Sequence, residues 1–151
     1  GALTAELSET EFRTTLQAAL ASVPHVQGVN NHMGSGLTQR PEPMRWLMAE
    51  LTARDLYFVD SRTHSATVAA AAAAEAGLPH LSRQVFLDNV AEPVAIAERF
   101  LAAVSHARQH GTCIVIGHPY PATIAFLQET LPELEEQGIR LATVSEILGL
   151  Q

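Results

Sequence analysis

Ionisable side chains stand at the ends of several short apolar runs in this 151-residue sequence. Asp60 ends the run LYFVD, Asp88 ends QVFLD, and His118 follows TCIVIG. His32 comes soon after HVQGVN and is followed by a glycine-rich turn. Because imidazole and carboxylate groups are the usual proton-transfer groups of proteins, their recurrence at these places indicates a site for catalysis or polar-ligand binding.

The apolar runs predict buried β-strands, and segments with helical periodicity separate them. Near-continuous apolar strands are typical of a sheet covered by helices on both faces. The predicted helices run from Glu9 to Ser22, from Pro41, from Ser65 to Glu75, from Pro93 to Gln109, from Pro121 and over SEILGL; the predicted strands are HVQGVN, Leu56 to Asp60, Gln84 to Asp88, Thr112 to Gly117 and IRLATV. This alternation predicts an α/β fold of parallel β/α repeats joined by right-handed crossovers.

Parallel strands bring their carboxyl ends to one rim of the sheet, where α/β proteins place their sites. The polar groups that follow the strands are therefore expected to converge around a shared pocket. Asn30, Asn31 and His32 are expected to form one wall of it. The other predicted members are Asp60, Arg62, Asp88, Asn89 and His118.

Each of these residues also has a purely structural interpretation. Asp88 and Asn89 can form an Asx turn or cap a helix, and Asp60 can pair with Arg62. A histidine before proline, such as His118, is often a turn residue.

Two histidines and the cysteine could in principle bind a metal or react, but a structural role fits them better. His106 and His110 are spaced for one helix face and could bind a metal, but the sequence offers them no evident carboxylate companion, which favours a solvated face. Cys113 lies inside a predicted strand and is expected to pack inertly. As the only cysteine, it allows neither an intrachain disulfide nor a cysteine-based zinc site.

Length and composition indicate one globular domain with a sizeable core, since 47% of the residues are hydrophobic. The net charge is −7 and the nine basic residues are scattered, which argues against nucleic acid as a partner. No run of 18 apolar residues occurs, so no membrane-spanning segment is predicted.

Four segments, GVNNHMGSGLT, LYFVDSRT, RQVFLDN and IVIGHPYPATIAFL, resemble the divergent polysaccharide deacetylase family in order and spacing. The resemblance implies part of a distorted (β/α) barrel, a bacterial protein that is periplasmic or secreted, and hydrolysis of N-acetylated glycans of the cell envelope. It also implies a divalent metal, with zinc expected, held by aspartate and histidine.

Carried over to this sequence, the resemblance implies His32 as a metal ligand and His118 as a second ligand or a catalytic acid. It implies that Asp60 and Arg62 orient or tune the site. The remaining strand-end residues are expected to bind the glycan substrate: Asn30, Asn31, Asp88 and Asn89.

The sequence departs from the family at two motifs. Neither a strand ending in paired aspartates nor a His-x-Pro-Met-Glu-like segment occurs. Residues 1–151 are thus expected to form a single α/β domain that corresponds to the C-terminal portion of the family domain. A sheet edge left exposed in this way would favour a homo-oligomer.

Two further functions are compatible with this pattern to different degrees. A non-catalytic relative that binds carbohydrate or an envelope component in the same strand-end pocket is the main alternative. A serine hydrolase is disfavoured, because the sequence MGSGL does not have the spacing of a G-x-S-x-G nucleophile elbow.

Overall fold

Short parallel strands alternate with helices through most of the chain, as a computed structural model that describes residues 2–150 shows. The mixed α/β character predicted from the sequence is confirmed. The residues group into two compact units, one ending at Ser82 and the other beginning at Arg83. The single domain expected for residues 1–151 stays a prediction.

The first unit is a three-stranded parallel sheet with the strand order β1-β2-β3. Its elements are α1 (Glu9–Ala21), β1 (Gly28–Asn30), a 3-10 turn (Leu37–Gln39), α2 (Pro41–Thr52), β2 (Tyr57–Asp60), α3 (Ala69–Glu75) and β3 (His80–Ser82). Asn30 pairs in register with Val59, and Asp60 pairs with Ser82. The carboxyl ends of β1 and β2 therefore lie side by side.

The core of the first unit joins helices α1 and α2 to the sheet. Phe12 from α1, Met48 and Leu51 from α2 and Phe58 from β2 are fully buried in one cluster. Burying each of these side chains contributes on the order of 2 kcal/mol. The packing holds β2, and with it the strand end at Asp60, in a fixed place.

The second unit contains a pair of two-residue parallel strands and a helical layer. Its elements are β4 (Val85–Phe86), α4 (Pro93–His110), β5 (Val115–Ile116), α5 (Pro121–Thr130), a 3-10 turn (Leu131–Glu133) and α6 (Val144–Ile147). The core consists of Leu87, Ile96, Phe100, Val104 and Leu134. β4 and β5 thus end next to each other, each two residues before Asp88 or His118.

Helix boundaries agree with the sequence better than strand boundaries do. Ser8 and Glu11 form a capping box at the start of α1, and Gly111 ends α4 with φ of 85°. The predicted start of the alanine-rich helix at Ser65 is wrong, because α3 begins at Ala69. There the Thr67 hydroxyl accepts the Ala69 N–H at 3.2 Å.

The strand predictions need three corrections. The predicted strands at Gln84–Asp88 and Thr112–Gly117 contract to two residues each. Residues 139–143 form no strand, although IRLATV has a strand-like composition. β3 was not predicted, and it forms because it pairs with β2. Strands depend on partners for their hydrogen bonds, and β5 is paired only with β4 in this sheet.

The barrel expected from the resemblance is not confirmed, because neither sheet of the described chain closes on itself. Homo-oligomer formation through an open sheet edge stays a prediction. Within residues 2–150, none of the helices has both the length and the apolar character needed to cross a bilayer.

Glu50 allows a test of the contact between α1 and α2. Its carboxylate, largely buried, accepts hydrogen bonds from Arg13 at 2.8 Å, Arg54 at 2.8 Å and Gln17 at 3.2 Å. We expect Glu50→Gln to lower the free energy of unfolding by about 1–2 kcal/mol, because it removes the charge that these donors share. Urea denaturation followed by circular dichroism measures the change.

Glu9→Gln is the matched control, since Glu9 binds the same Arg13 but its side chain is half exposed. Exposed ion pairs contribute little, so we expect a loss below about 1 kcal/mol. Equal losses in the two variants would contradict a special role for Glu50.

Candidate functional site

Asp88 lies two residues after β4 and receives hydrogen bonds from two segments distant in sequence. Its side chain is fully buried. Oδ2 accepts the backbone N–H of His118 and the hydroxyl of Thr123, the latter at 2.9 Å. Oδ1 lies 3.0 Å from Nδ1 of the His118 ring. One carboxylate therefore links the end of β4, the segment after β5 and the first turn of α5.

Gly117 permits this close approach. A Cβ at that position would lie 3.3 Å from Oδ2 of Asp88 and 3.5 Å from Cβ of Leu87. The first distance is shorter than most real Cβ contacts, and the second is an ordinary van der Waals contact. A side chain at position 117 would therefore require the Asp88 carboxylate to shift slightly.

The charge of Asp88 decides which nitrogen of His118 carries a proton. Burial by itself raises the pKa of Asp88, but the hydrogen bonds from the His118 N–H, the His118 ring and Thr123, together with the charge of His118, hold its pKa below the ordinary value. An ionised carboxylate only accepts hydrogen bonds, so Nδ1 must donate. In the neutral ring the lone pair is then on Nε2, the arrangement of a histidine prepared for proton transfer or metal binding.

The three predicted site residues of the second unit, Asp88, Asn89 and His118, differ in exposure and contacts. Asp88 does not cap α4, whose N-cap is Glu92. The Asp88 side chain is completely buried and bonded to His118 and Thr123, a place suited to positioning the imidazole, and its substrate contact stays a prediction. Asn89 is exposed, and His118 is partly exposed.

Asn31 connects the ends of β1 and β2 in the first unit. Its Oδ1 accepts the Ser61 N–H at 2.8 Å, and its Nδ2 lies 3.5 Å from Oγ1 of Thr63. Asn30 donates from Nδ2 to Oγ of Ser61 at 3.2 Å. The two predicted asparagines are thus brought together with hydroxyl groups, in a cluster rich in hydrogen-bond donors and acceptors.

Asp60 has a more local role than the sequence suggested. It is fully buried, its Oδ1 accepts the Arg62 N–H at 2.8 Å, and its Oδ2 accepts the Thr67 hydroxyl at 3.0 Å. Arg62 is in the left-handed region with φ of 47°. Asp60 therefore forms an Asx turn that shapes the loop after β2, and its carboxylate contacts Arg62 through the backbone N–H.

His32 is exposed on the loop after β1. The predicted ligands His32 and His118 belong to different compact units, and their meeting at a common metal stays a prediction. His106 and His110 lie on α4 with ring centroids 4.3 Å apart. Across residues 2–150, no group of three or more His, Cys, Asp or Glu side chains is arranged to hold a metal ion.

Sequence reasoning missed three residues around His118. Thr123 is buried and binds Asp88, and the rings of Phe86 and Tyr120 lie on the imidazole with centroid distances of 5.5 and 5.2 Å. A threonine in the first turn of a helix has ordinary structural explanations. Its partner is 35 residues away, so no local signal identifies it.

Asn31→Ala tests the link between the ends of β1 and β2. The substitution removes the acceptor of the Ser61 N–H, and Ser61 is buried. We expect a loss of about 1–3 kcal/mol in unfolding free energy, measured by urea denaturation. Asn30→Ala is the control, because Asn30 is exposed, and its loss is expected below about 1 kcal/mol. A larger loss of unfolding free energy for Asn30→Ala than for Asn31→Ala would contradict the role of Asn31 as the main link between the two strand ends.

Asp88→Asn tests the ionised carboxylate. Both carboxylate oxygens of Asp88 accept hydrogen bonds, and in the variant an NH₂ group, which is a donor, replaces one of them. We therefore expect the variant to be less stable at pH 7 by about 2 kcal/mol or more. A carboxyl with a depressed folded-state pKa stabilises the protein above its unfolded pKa of about 3.9 and loses this contribution as the pH falls through the folded value. The difference between wild type and variant should therefore shrink below about pH 4.

Unfolding free energies measured from pH 3 to pH 7 check this pH dependence. Asp55→Asn is the control, since Asp55 is exposed, and it should change stability by less than about 0.5 kcal/mol at every pH. A stability difference for Asp88→Asn that stays constant down to pH 3 would contradict an ionised Asp88.

Comparison with known proteins agrees with the arrangement of motifs. The family model described as divergent polysaccharide deacetylase matches residues 1–148. An uncharacterized protein of Haemophilus influenzae is 41% identical over 136 residues, which are 90% of this chain and 49% of that protein. The uncharacterized protein YibQ of Escherichia coli is 38% identical over 144 residues, 95% of this chain and 45% of that protein. The chain spans about half the length of these curated relatives.

A solved structure shows the same fold. The crystal structure of uncharacterized protein ATU2773 from Agrobacterium tumefaciens C58 superposes with a TM-score of 0.93 at 21% identity, covering 96% of this chain and 59% of that one. At this identity the likeness concerns the fold alone. The match to the family model over nearly the whole length shows that the chain belongs to the divergent polysaccharide deacetylase family.

Proposed function

We propose that this chain is part of a carbohydrate deacetylase that hydrolyses N-acetyl groups on glycans of the bacterial envelope, in the periplasm or outside the cell. The observation that carries the proposal is the pair of Asp88 and His118, with Nδ1 of the imidazole 3.0 Å from a buried carboxylate. Membership of the family supplies the reaction class.

His118 acts as the proton donor in this proposal. Hydrolysis of an N-acetyl group adds water across the amide, breaks the bond between carbonyl carbon and nitrogen, and yields acetate and an amine. The departing nitrogen needs a proton as that bond breaks, and the protonated imidazole supplies it from Nε2. Asp88 stabilises the imidazolium and keeps the ring oriented through Nδ1, as a buried carboxylate does for a catalytic histidine.

Thr123 supports Asp88 in this role. Its hydroxyl fixes Oδ2, while the backbone N–H of His118 fixes the same oxygen from the other side. The carboxylate can then turn only by breaking these hydrogen bonds. The orientation of the imidazole is thus set before a substrate arrives, which is what efficient proton transfer requires.

The divalent metal of the proposal, expected to be zinc, does not fit the described residues as a complete site. No suitable group of three ligands exists among residues 2–150. The carboxylates of Asp60 and Asp88 are both engaged by hydrogen-bond donors. His32 remains a candidate ligand. His118 is not available as a ligand while it acts as the proton donor, because Nδ1 faces Asp88 and Nε2 carries the proton. A metal would therefore need ligands other than those that the described residues group together.

A second function, binding of a glycan without turnover, is favoured by the engagement of Asp60. This carboxylate forms a loop-shaping turn, so it is not presented to a metal or to a reacting water. Asn30 is exposed and Asn31 partly exposed, and their amide groups offer donors and acceptors of the kind that bind sugar hydroxyls, while buried Ser61 holds the two side chains in place. In this second function the protein would bind carbohydrate and release no acetate.

Acetate release by the intact protein distinguishes the two functions. The measurement uses chitin oligomers and peptidoglycan fragments, with zinc added and with zinc removed by a chelator. We expect acetate release that depends on the metal, and His118→Ala is expected to lower kcat by about 10²- to 10⁴-fold, the contribution of a general acid.

His110→Ala is the matched control, because His110 is an exposed histidine of the same unit and is expected to leave kcat unchanged. If the intact protein binds glycan but releases no acetate under any metal condition, the deacetylase proposal is wrong and the binding function stands. Equal activity of His118→Ala and wild type would remove His118 from the mechanism.

A further inference from the structure

Four side chains of the second unit, those of Arg83, Phe86, His118 and Tyr120, are joined by ring and cation–π contacts. The guanidinium carbon of Arg83 lies 5.2 Å from the centroid of the Phe86 ring. Phe86 lies 5.5 Å from the His118 ring with an interplanar angle of 36°, and Tyr120 lies 5.2 Å from His118 with an angle of 35°. These centroid distances are in the range of attractive aromatic contacts.

Exposure differs among these side chains. Arg83 lies over the Phe86 ring, a cation–π contact. Tyr120 contacts the His118 ring, and 43% of its surface is exposed. An exposed aromatic ring therefore lies beside the imidazole of His118.

The backbone holds this tyrosine in place. Tyr120 is the N-cap residue of α5, with φ of −70° and ψ of 145°, and its carbonyl accepts the Ile124 N–H at 2.9 Å. The same helix carries Thr123, which binds Asp88. The backbone of Tyr120 and the hydroxyl that binds Asp88 therefore belong to the same helix start, which keeps the Tyr120 ring near His118.

We propose that Tyr120 is a glycan-binding residue, whose exposed ring stacks on the apolar face of a pyranose unit next to the N-acetyl group presented to His118. The inference rests on the proposed carbohydrate function and adds the residue that holds the sugar. A pyranose has C–H groups on its faces and hydroxyls around its rim. Tyrosine matches this pattern, with an apolar ring and a polar hydroxyl at its tip.

Charge supports an uncharged sugar as the ligand of this surface. The chain carries a net charge of −7, which disfavours anionic polymers at long range. Stacking on Tyr120 needs no charge on the ligand, so N-acetylated, neutral glycans are the class it fits.

Equilibrium binding to the intact protein tests the inference independently of turnover. Isothermal titration calorimetry is carried out with chitin oligomers and with their fully deacetylated counterparts, which are products and cannot react further. Tyr120→Ala is expected to weaken binding of both by about tenfold, the size of one aromatic contact. Tyr120→Phe, which keeps the ring, is expected to stay within about twofold of wild type.

Ile124→Ala is the matched control, since Ile124 is also 43% exposed and lies in the first turn of the same helix. Thermal unfolding of each variant shows whether it is folded. If folded Tyr120→Ala binds as wild type does, if Ile124→Ala loses as much affinity, or if wild type binds neither oligomer, the inference is wrong. Failure of acetate release with normal, Tyr120-dependent binding would overturn the deacetylase function and leave this inference standing.

Discussion

A buried negative charge organises the second unit. Removing a carboxylate from water is costly unless donors and positive charge replace the lost hydration. Asp88 meets this demand with two donors from His118 and one from Thr123. The folded state can satisfy the charge only when β4, β5 and α5 are all in place. The orientation of His118 is therefore a consequence of folding and needs no ligand to set it.

Asp60 and Asp88 show how the same sequence pattern produces two different structures. Both follow a buried strand, and both are buried themselves. The donors to Asp60 come from Arg62 and Thr67, two and seven residues away, so they close a local loop. The donors to Asp88 come from residues 30 and 35 positions away. Only the second arrangement ties an imidazole to the carboxylate, and the strand-end pattern alone cannot distinguish them.

Sequence was most informative where the deciding interactions are local. The capping box at Ser8, the proline at the start of α4 and the left-handed Gly111 at its end all lie within a few residues of the hydrogen bonds they control. The fold class and the presence of polar groups at strand ends followed from such signals. The strand at His80–Ser82 and the loss of the one expected at 139–144 did not, because pairing decides them.

The residues of the candidate site differ in the same way in how far the sequence identifies them. Asn31 and His118 were identifiable as strand-end polar residues, whereas Thr123, Phe86 and Tyr120 act through contacts made only in the folded chain. A threonine or an aromatic ring has many structural uses, so its type carries no functional signal by itself. For this reason the sequence alone does not identify the residues that orient the His118 ring.

The Asp88–His118 pair also bears on the choice between catalysis and binding. A surface that only binds sugar hydroxyls gains nothing from fixing one tautomer of an imidazole, since either ring nitrogen can serve a hydroxyl group. Burying an ionised carboxylate for that purpose costs stability that a neutral amide or an apolar side chain would not. A proton donor does need the arrangement, because its reactive nitrogen must be defined and its charged form stabilised. On this physical ground the Asp88–His118 pair favours proton transfer. The carboxylate of Asp60, in contrast, forms a loop turn, and the described residues contain no group of three metal ligands. Whether a metal binds is therefore the question that separates the two proposed functions.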